Sequence, residues 1–153
     1  MTFDPSVPVL ALQAVLVASS VFPGGVLIGE PFSPPVGLTA AIFFMDVDPA
    51  QTTLGSTIDV WTLQVRIYAR AGMTPVDASK VEISVAQGVQ TVLSALAGGF
   101  TLSGSMRAID WAGEEAGRKL SVKWGHLVVS GTIFRMVDIT VPLIVDDAAT
   151  FAA

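Results

Sequence analysis

Side chains able to do chemistry are few and scattered along this chain of 153 residues. The single histidine, His126, cannot supply a two-histidine metal set. It shares a strand face with Trp124 and Val128, the setting of a core or contact residue rather than of a general base. Asp46 and Asp48 in DVDPA are spaced like a fragment of a calcium loop, but the glycine turn and the distal glutamate of that motif are missing. They therefore read as turn residues ahead of Pro49. Glu114 and Glu115 in AGEEAG form an acid pair in a glycine-flanked turn with no base or orienting group beside them. Cysteine is absent, which removes thiolates and disulfides together. The glycine patterns of nucleophile elbows, dinucleotide sites and phosphate loops are absent as well. The expectation is a protein that is not an enzyme, with no catalytic, metal or cofactor-binding residues.

The elements that would have to position such groups are better specified than the groups themselves. In IDVWTLQVRIYAR the side chains sort by parity: Trp61, Leu63, Val65 and Ile67 point one way, and Thr62, Gln64, Arg66, Tyr68 and Arg70 the other. This predicts a strand with one dry face. A helix follows, with Thr74 as N-cap, Pro75 in its first turn and Asp77 near the positive end of its dipole. Val81, Val85, Val89, Val92, Leu93 and Leu96 form its apolar stripe and Gly98-Gly99 its stop. The stripe should pack on the dry face of the strand. The opposite helix face carries Ser84, Gln87, Gln90, Thr91 and Ser94, and no charge occurs between Glu82 and Arg107. An uncharged polar face of this kind suits contact with protein, whereas an ordinary solvated helix would carry lysine and glutamate.

Composition points the same way. Apolar residues make up 52% of the chain and charged residues 14%, against a usual charged fraction of about 25%, and mean hydropathy is +0.67. A chain of this length forms one core and leaves apolar surface outside it, which is the signature of partners or self-assembly. The net charge of -5 is lopsided: Asp4, Glu30, Asp46, Asp48 and Asp59 precede the first cation, Arg66, leaving eight acids against eight bases beyond it. This disfavours nucleic-acid binding by counterion release. It is compatible with a wall that DNA passes without sticking, or with a merely solubilising bias. The apolar run VPVLALQAVLVASSVF is too short for a membrane span and meets Ser19-Ser20 and Pro23-Gly24-Gly25. No basic residue precedes it to make a signal peptide. It reads as a helix over Val7–Ser20 with Ser6 as cap and Pro8 in the first turn.

The remainder reads as strands joined by turns. Gly25–Gly29 and Gly37–Val47 flank EPFSPP and predict a hairpin, and DPAQTTLGST predicts a loop. Ser105–Trp111 predicts a strand ending at AGEEAG. Arg118–Val129 alternates, with Leu120, Val122, Trp124, His126 and Val128 on one face, and Ser130-Gly131 marks the next turn. The last strand, Thr132–Val145, contains Pro142, which suggests an edge or a strand end. Residues 146–153 should fray as a flexible tail. The fold class is therefore α+β: a single domain over 1–153 in which a mixed, mostly antiparallel sheet packs against an N-terminal helix and one long central helix.

An apolar N-terminal helix, the acidic FFMDVDPA, the strand VWTLQVRIYAR and the long helix DASKVEISVAQGVQTVLSAL occur in succession. In this the chain resembles the tail terminator (tail completion) proteins of long-tailed bacteriophages over roughly Val7–Val145. The resemblance implies a structural virion protein of the tail or neck, assembled in the host cytoplasm. It would form a hexameric ring on the tail tube, end tail polymerisation and meet the head-side connector. Its partners would be copies of itself, the tail tube protein and the connector protein, with genomic DNA passing through the lumen without specific binding and with no membrane. Contact surfaces map onto DPAQTTLGST (Asp48, Gln51, Thr53), AGEEAG (Glu114, Glu115) and the uncharged helix face (Ser84, Gln87, Gln90, Thr91, Ser94). EPFSPP and the small-residue tail have no place in the family pattern. The rival readings are another head-tail joining protein, a connector or stopper, and a small non-viral binding module.

Overall fold

The computed structural model describes residues 3–31, 36–53, 56–72, 74–99, 106–114 and 116–150. The elements run α1 (Ser6–Ala18), β1 (Val26–Ile28), β2 (Thr39–Thr53), β3 (Ser56–Arg70), α2 (Pro75–Ser94), a π-helical turn (Ala95–Gly99), β4 (Met106–Ile109), β5 (Ser121–Val129) and β6 (Thr132–Thr150). The six strands form one mixed sheet in the order β1-β2-β3-β6, with β4 and β5 end to end along the outer edge of β6. All pairings are antiparallel except β1 with β2. This is the α+β arrangement anticipated from the residue pattern.

Both helices lie on the face that β3 makes dry. Leu63, Val65 and Ile67 are fully buried with Ile42, Val137, Ile139 and Val141 from the flanking strands, and with Val85 and Val92 from α2 and Leu12 and Leu16 from α1. Each such side chain contributes about 1.5–3 kcal/mol through burial, so the strip is the main source of stability. The start of α2 is as read: Thr74 accepts a hydrogen bond from the Asp77 N–H at 3.2 Å, and Pro75 opens the helix. Gly88 sits where the helix meets the sheet, and a Cβ there would lie 3.2 Å from Phe22 and 3.3 Å from Ile67. α1 begins a residue earlier than expected: Ser6 is its first residue, Pro5 holds the N-cap position without a side-chain cap, and Asp4 stands just ahead of it. The Asp4 carboxylate accepts from the Ser6 N–H at 3.0 Å and from its hydroxyl at 2.7 Å.

Several expectations are corrected. The segments around EPFSPP do not form a hairpin: β1 runs parallel to β2, with Val26 opposite Ala40. Prolines cannot donate to a ladder, so the chain leaves the sheet at Gly29 (φ 86°), travels back and re-enters after Gly37 (φ 92°). Phe32–Pro35 themselves lie outside the described residues. DPAQTTLGST is not a loop but the end of a long antiparallel extension of the sheet, paired from Asp48 with Val60 to Thr53 with Ser56; Leu54 and Gly55 are outside the described residues. Asp46 and Asp48 thus belong to a strand and not to a turn. The chain from 146 to 150 is likewise strand, because β6 follows this extension and pairs Asp146 with Ile58 and Thr150 with Ser56. Residues 151–153 and Ser105 lie outside the description. Pro142 is interior to β6, opposite Thr62. Its carbonyl accepts from the Asp110 N–H at 2.9 Å on the β4 side. A residue's N–H and C=O leave a strand on the same side, so the missing donor faces the junction of β4 and β5 and no bond to β3 is lost.

The face of β3 expected to be wet is largely covered. Thr62, Gln64 and Tyr68 are buried, and Tyr68 packs with Ala41 and Phe134 in a second small apolar cluster. Tyr68 and Phe134 meet edge to face at 6.0 Å. The helix-side core is the more crowded of the two, and Gly88→Val should lower stability by about 1–3 kcal/mol through overpacking. Urea titration of the two proteins side by side measures this, and equal midpoints would show that α2 can lift off Ile67 without cost.

Candidate functional site

Charge-free side chains cover α1 and the part of α2 beyond Glu82, while the first turns of α2 carry exposed Asp77, Lys80 and Glu82. α1 carries no charged residue, and its outward positions include Leu10 and Val17, both more than half exposed. On α2, Gln87, Gln90 and Ser94 are exposed, Ser84 and Thr91 half-buried, and Ile83 is 59% exposed beside them. The polar groups satisfy one another: Gln90 Nε2 donates to Ser94 Oγ at 3.3 Å, and Thr91 Oγ1 donates to the Gln87 carbonyl at 2.9 Å. Between the helices lies a shallow groove of about 390 Å³ lined by Val15, Ser19, Gln90, Thr91, Ser94 and Ala95. Such a surface demands no counter-charge and little desolvation from whatever meets it.

The other predicted residues gather on the opposite face of the sheet. Arg118, on the turn between β4 and β5, reaches across β6 and β3 to β2. Its NH2 lies 2.8 Å from Asp46 and 3.2 Å from Asp48. The DVDPA and AGEEAG segments, 66 positions apart between Asp48 and Glu114, are therefore neighbours. The turn is organised by Asp110, which sequence reasoning missed. This largely buried carboxylate accepts from the N–H groups of Gly113 (3.0 Å), Glu114 (3.0 Å) and Ala116 (2.7 Å). An aspartate three residues ahead of a turn glycine was the available signal, since its short side chain mimics a backbone acceptor. Glu114 points to solvent, and Glu115 is outside the described residues. Gln51 and Thr53 lie on the β2–β3 extension, opposite Ile58 and Ser56. The structure unites Asp48 with the Glu114 turn but leaves both across the sheet from the α2 face.

Two further ion networks lock the sheet. Arg66 donates from Nε to Asp138 Oδ1 at 2.8 Å, also pairs with Glu30, and stacks over the Phe43 ring at 5.5 Å. Hydrogen bonding to Asp138 raises its already high pKa. This cluster borders a cleft of about 180 Å³ with Tyr68, Leu127 and Phe134, where burial raises the pKa of the Tyr68 hydroxyl. On the helix side, Arg135 grips Glu82 with Nε to Oε2 at 2.9 Å and NH2 to Oε1 at 3.3 Å. His126 stands opposite Arg135 in the ladder and is exposed, as are Trp124 and Val128, so the face of β5 that looked dry is an uncovered edge. Among the described residues, no three histidine, aspartate or glutamate side chains converge on a metal-sized space, and no helix is long and apolar enough to cross a membrane. What this arrangement offers is surface for contact.

No family model matches this chain, and no curated protein matches it. Among solved structures it is similar to a chain of the virion of a native gene transfer agent particle. The TM-score is 0.58 at 16% identity, with 94% of this chain and 99% of that chain covered. At that identity the likeness is one of fold, and it spans nearly the whole of both chains.

The Arg135 hydrogen bonds, reinforced by Coulombic attraction to Arg135 and His126, hold the Glu82 carboxyl below its ordinary range. A carboxylate lowered in the folded state contributes stability that is full above the unfolded glutamate range and is lost as pH falls through the folded value. Arg135→Gln should return Glu82 to ordinary titration, read by carboxyl-carbon NMR. An unshifted Glu82 curve in the variant would mean that the pair does not form in solution.

Proposed function

We propose that this chain is a structural virion protein of a phage-like particle. It closes into a ring, most simply of six subunits, that caps the tail tube, ends its polymerisation and joins the tail to the head-side connector. The observation that supports this reading is the exposed, uncharged surface of α1 and of α2 beyond Glu82, on a fold similar over nearly the whole chain to that of a virion chain. Buried between subunits, Ile83, Gln87, Gln90 and Ser94, with Ser84 and Thr91 beside them, would convert the chain's surplus apolar surface into assembly energy. Asp48 and the Asp110 turn with Glu114, on the other side of the sheet, then meet the tube or the connector, with Gln51, Thr53 and Glu115 as further contact residues. Partners are further copies of the chain, the tail tube protein and the connector, at the tail or neck of the virion after assembly in the host cytoplasm. DNA would pass the lumen without specific binding. The chemistry on the surface suits a structural role rather than a catalytic one.

Purified protein should show rings by negative-stain microscopy and a mass well above one subunit by light scattering. Gln87→Lys or Ser94→Glu should weaken association about tenfold or more, since a charge stranded in an apolar contact costs over 1 kcal/mol, while far-UV circular dichroism stays unchanged. A monomer both alone and with tube protein added would sink the proposal. Retention on immobilised portal-side connector but not on tube protein would instead identify another neck protein, a connector or stopper.

A further inference from the structure

The two flanks of the sheet differ in shape and charge. At one flank β1 ends at Ile28, and beyond Ile42 the outer edge of β2 has no ladder partner among the described residues. There α1 and β2 border an apolar groove of about 440 Å³ whose walls include Val9, Leu10, Ile28, Phe44 and Trp61. Leu10 is 53% exposed and Ile28 50%. Trp61 is wedged edge-on between Phe3 and Phe44 at 5.0 and 5.3 Å, and its buried Nε1 has no acceptor among the described residues. The lining carries no charge; Asp4, next to the lining residue Pro5, makes no ion pair among the described residues, whereas Glu30 and Asp46 nearby are held by Arg66 and Arg118.

At the other flank β5 pairs with β6 in unbroken register from Ser121 with Thr140 to Val129 with Thr132, and its outer edge is free among the described residues. It presents Trp124 (44% exposed) and Val128 (64%) on the helix side, with exposed Ile133 across from Val128. Lys119 and Lys123 are exposed and make no ion pair among the described residues, and β5 contains no acid. This flank is a basic ridge with apolar side chains.

We infer that these flanks are the two halves of one contact between copies of the chain, in which the β5 ridge of one copy seats in the α1–β2 groove of the next. The inference rests on the ring reading and names its contact. Charge favours a second copy as the occupant: among the described residues Asp4 beside the groove has no cation partner and Lys119 and Lys123 beside the ridge have no acid partner, so groove against ridge brings opposite signs together where a symmetric contact would set like against like. Placement selects the geometry, because halves on opposite flanks of one subunit make a heterologous contact, the kind a ring requires. The contact is side-chain packing rather than strand addition. Pro49 and the bulges at Phe44/Asp46 and Pro49/Gln51 spoil the β2 edge as a ladder.

The absence of cysteine makes the test direct. Within one chain the two flanks are separated by β2, β3 and β6, roughly 15–20 Å at about 4.8 Å per strand, beyond the ~7 Å reach of a disulfide. Leu10→Cys/Val128→Cys under mild oxidation should therefore give a ladder of covalent dimers, trimers and larger species on a non-reducing gel, with each single variant remaining monomeric. Ile28→Cys/Trp124→Cys is the second pair, in case one cysteine geometry is unfavourable. Rings seen by light scattering with no ladder from either pair would overturn this contact and leave the ring reading intact. Efficient dimers from any single variant would also overturn it, because they signify a symmetric contact. Neither rings nor ladder would remove both.

Discussion

The pairing of β3 with β6 is the constraint on which every other element depends. It runs as a single ladder from Arg70 opposite Phe134 to Ser56 opposite Thr150, with one irregularity near Ser56. On its dry face it assembles Leu63, Val65, Ile67, Val137, Ile139 and Val141 into the surface that α2 covers. β2 attaches to its β3 side, and β4 and β5 share its β6 side. A slip of one residue in this register would turn each of those apolar side chains to the wrong face. The match of hydrophobic parity in two strands 60 or more positions apart is thus the main source of uniqueness in the fold.

Much of this was legible in the residues because it is periodic. The alternation of β3, the cap at Thr74 and the valine stripe of α2 are local patterns, and each found its predicted partner. What could not be read was relational. Parity shows that Thr62, Gln64 and Tyr68 share a face, but not that Phe134 and the turn held by Asp110 would cover parts of it. Turn-forming residues in DPAQTTLGST suggested a loop because turn propensity is local, whereas the length of a strand pair is set by the partner strand. Pro142 misled for the same reason: its missing donor faces a junction between two strands, and no property of β6 alone reveals that junction. The candidate surface was legible as an absence of charge on α2. The meeting of Asp46, Asp48 and Arg118 was not, since an ion pair across 70 positions leaves no trace in spacing.

The sheet also separates two kinds of surface. On one side lie α1, which carries no charge, and the turns of α2 beyond Glu82, whose outward side chains are uncharged. On the other lie carboxylates held by Arg66 and Arg118, whose geometry is specific and whose strength depends on ionic conditions. On the ring reading proposed above, the first would meet further copies of the chain and the second a different partner. The two tasks do not interfere, because a five-position sheet stands between them.

The late position of β6 in the chain has a consequence for timing. Until β6 has entered beside β3, the sheet lacks its second central strand, α2 has no complete floor, and neither β4 nor β5 has anything to pair with. Closing so long a loop is slow compared with forming the helices, because its entropy is spent before the ladder compensates. A nascent or half-folded subunit therefore offers neighbours neither a finished helical layer nor a formed edge. The helical layer and the β5 edge are thus completed by the same late event.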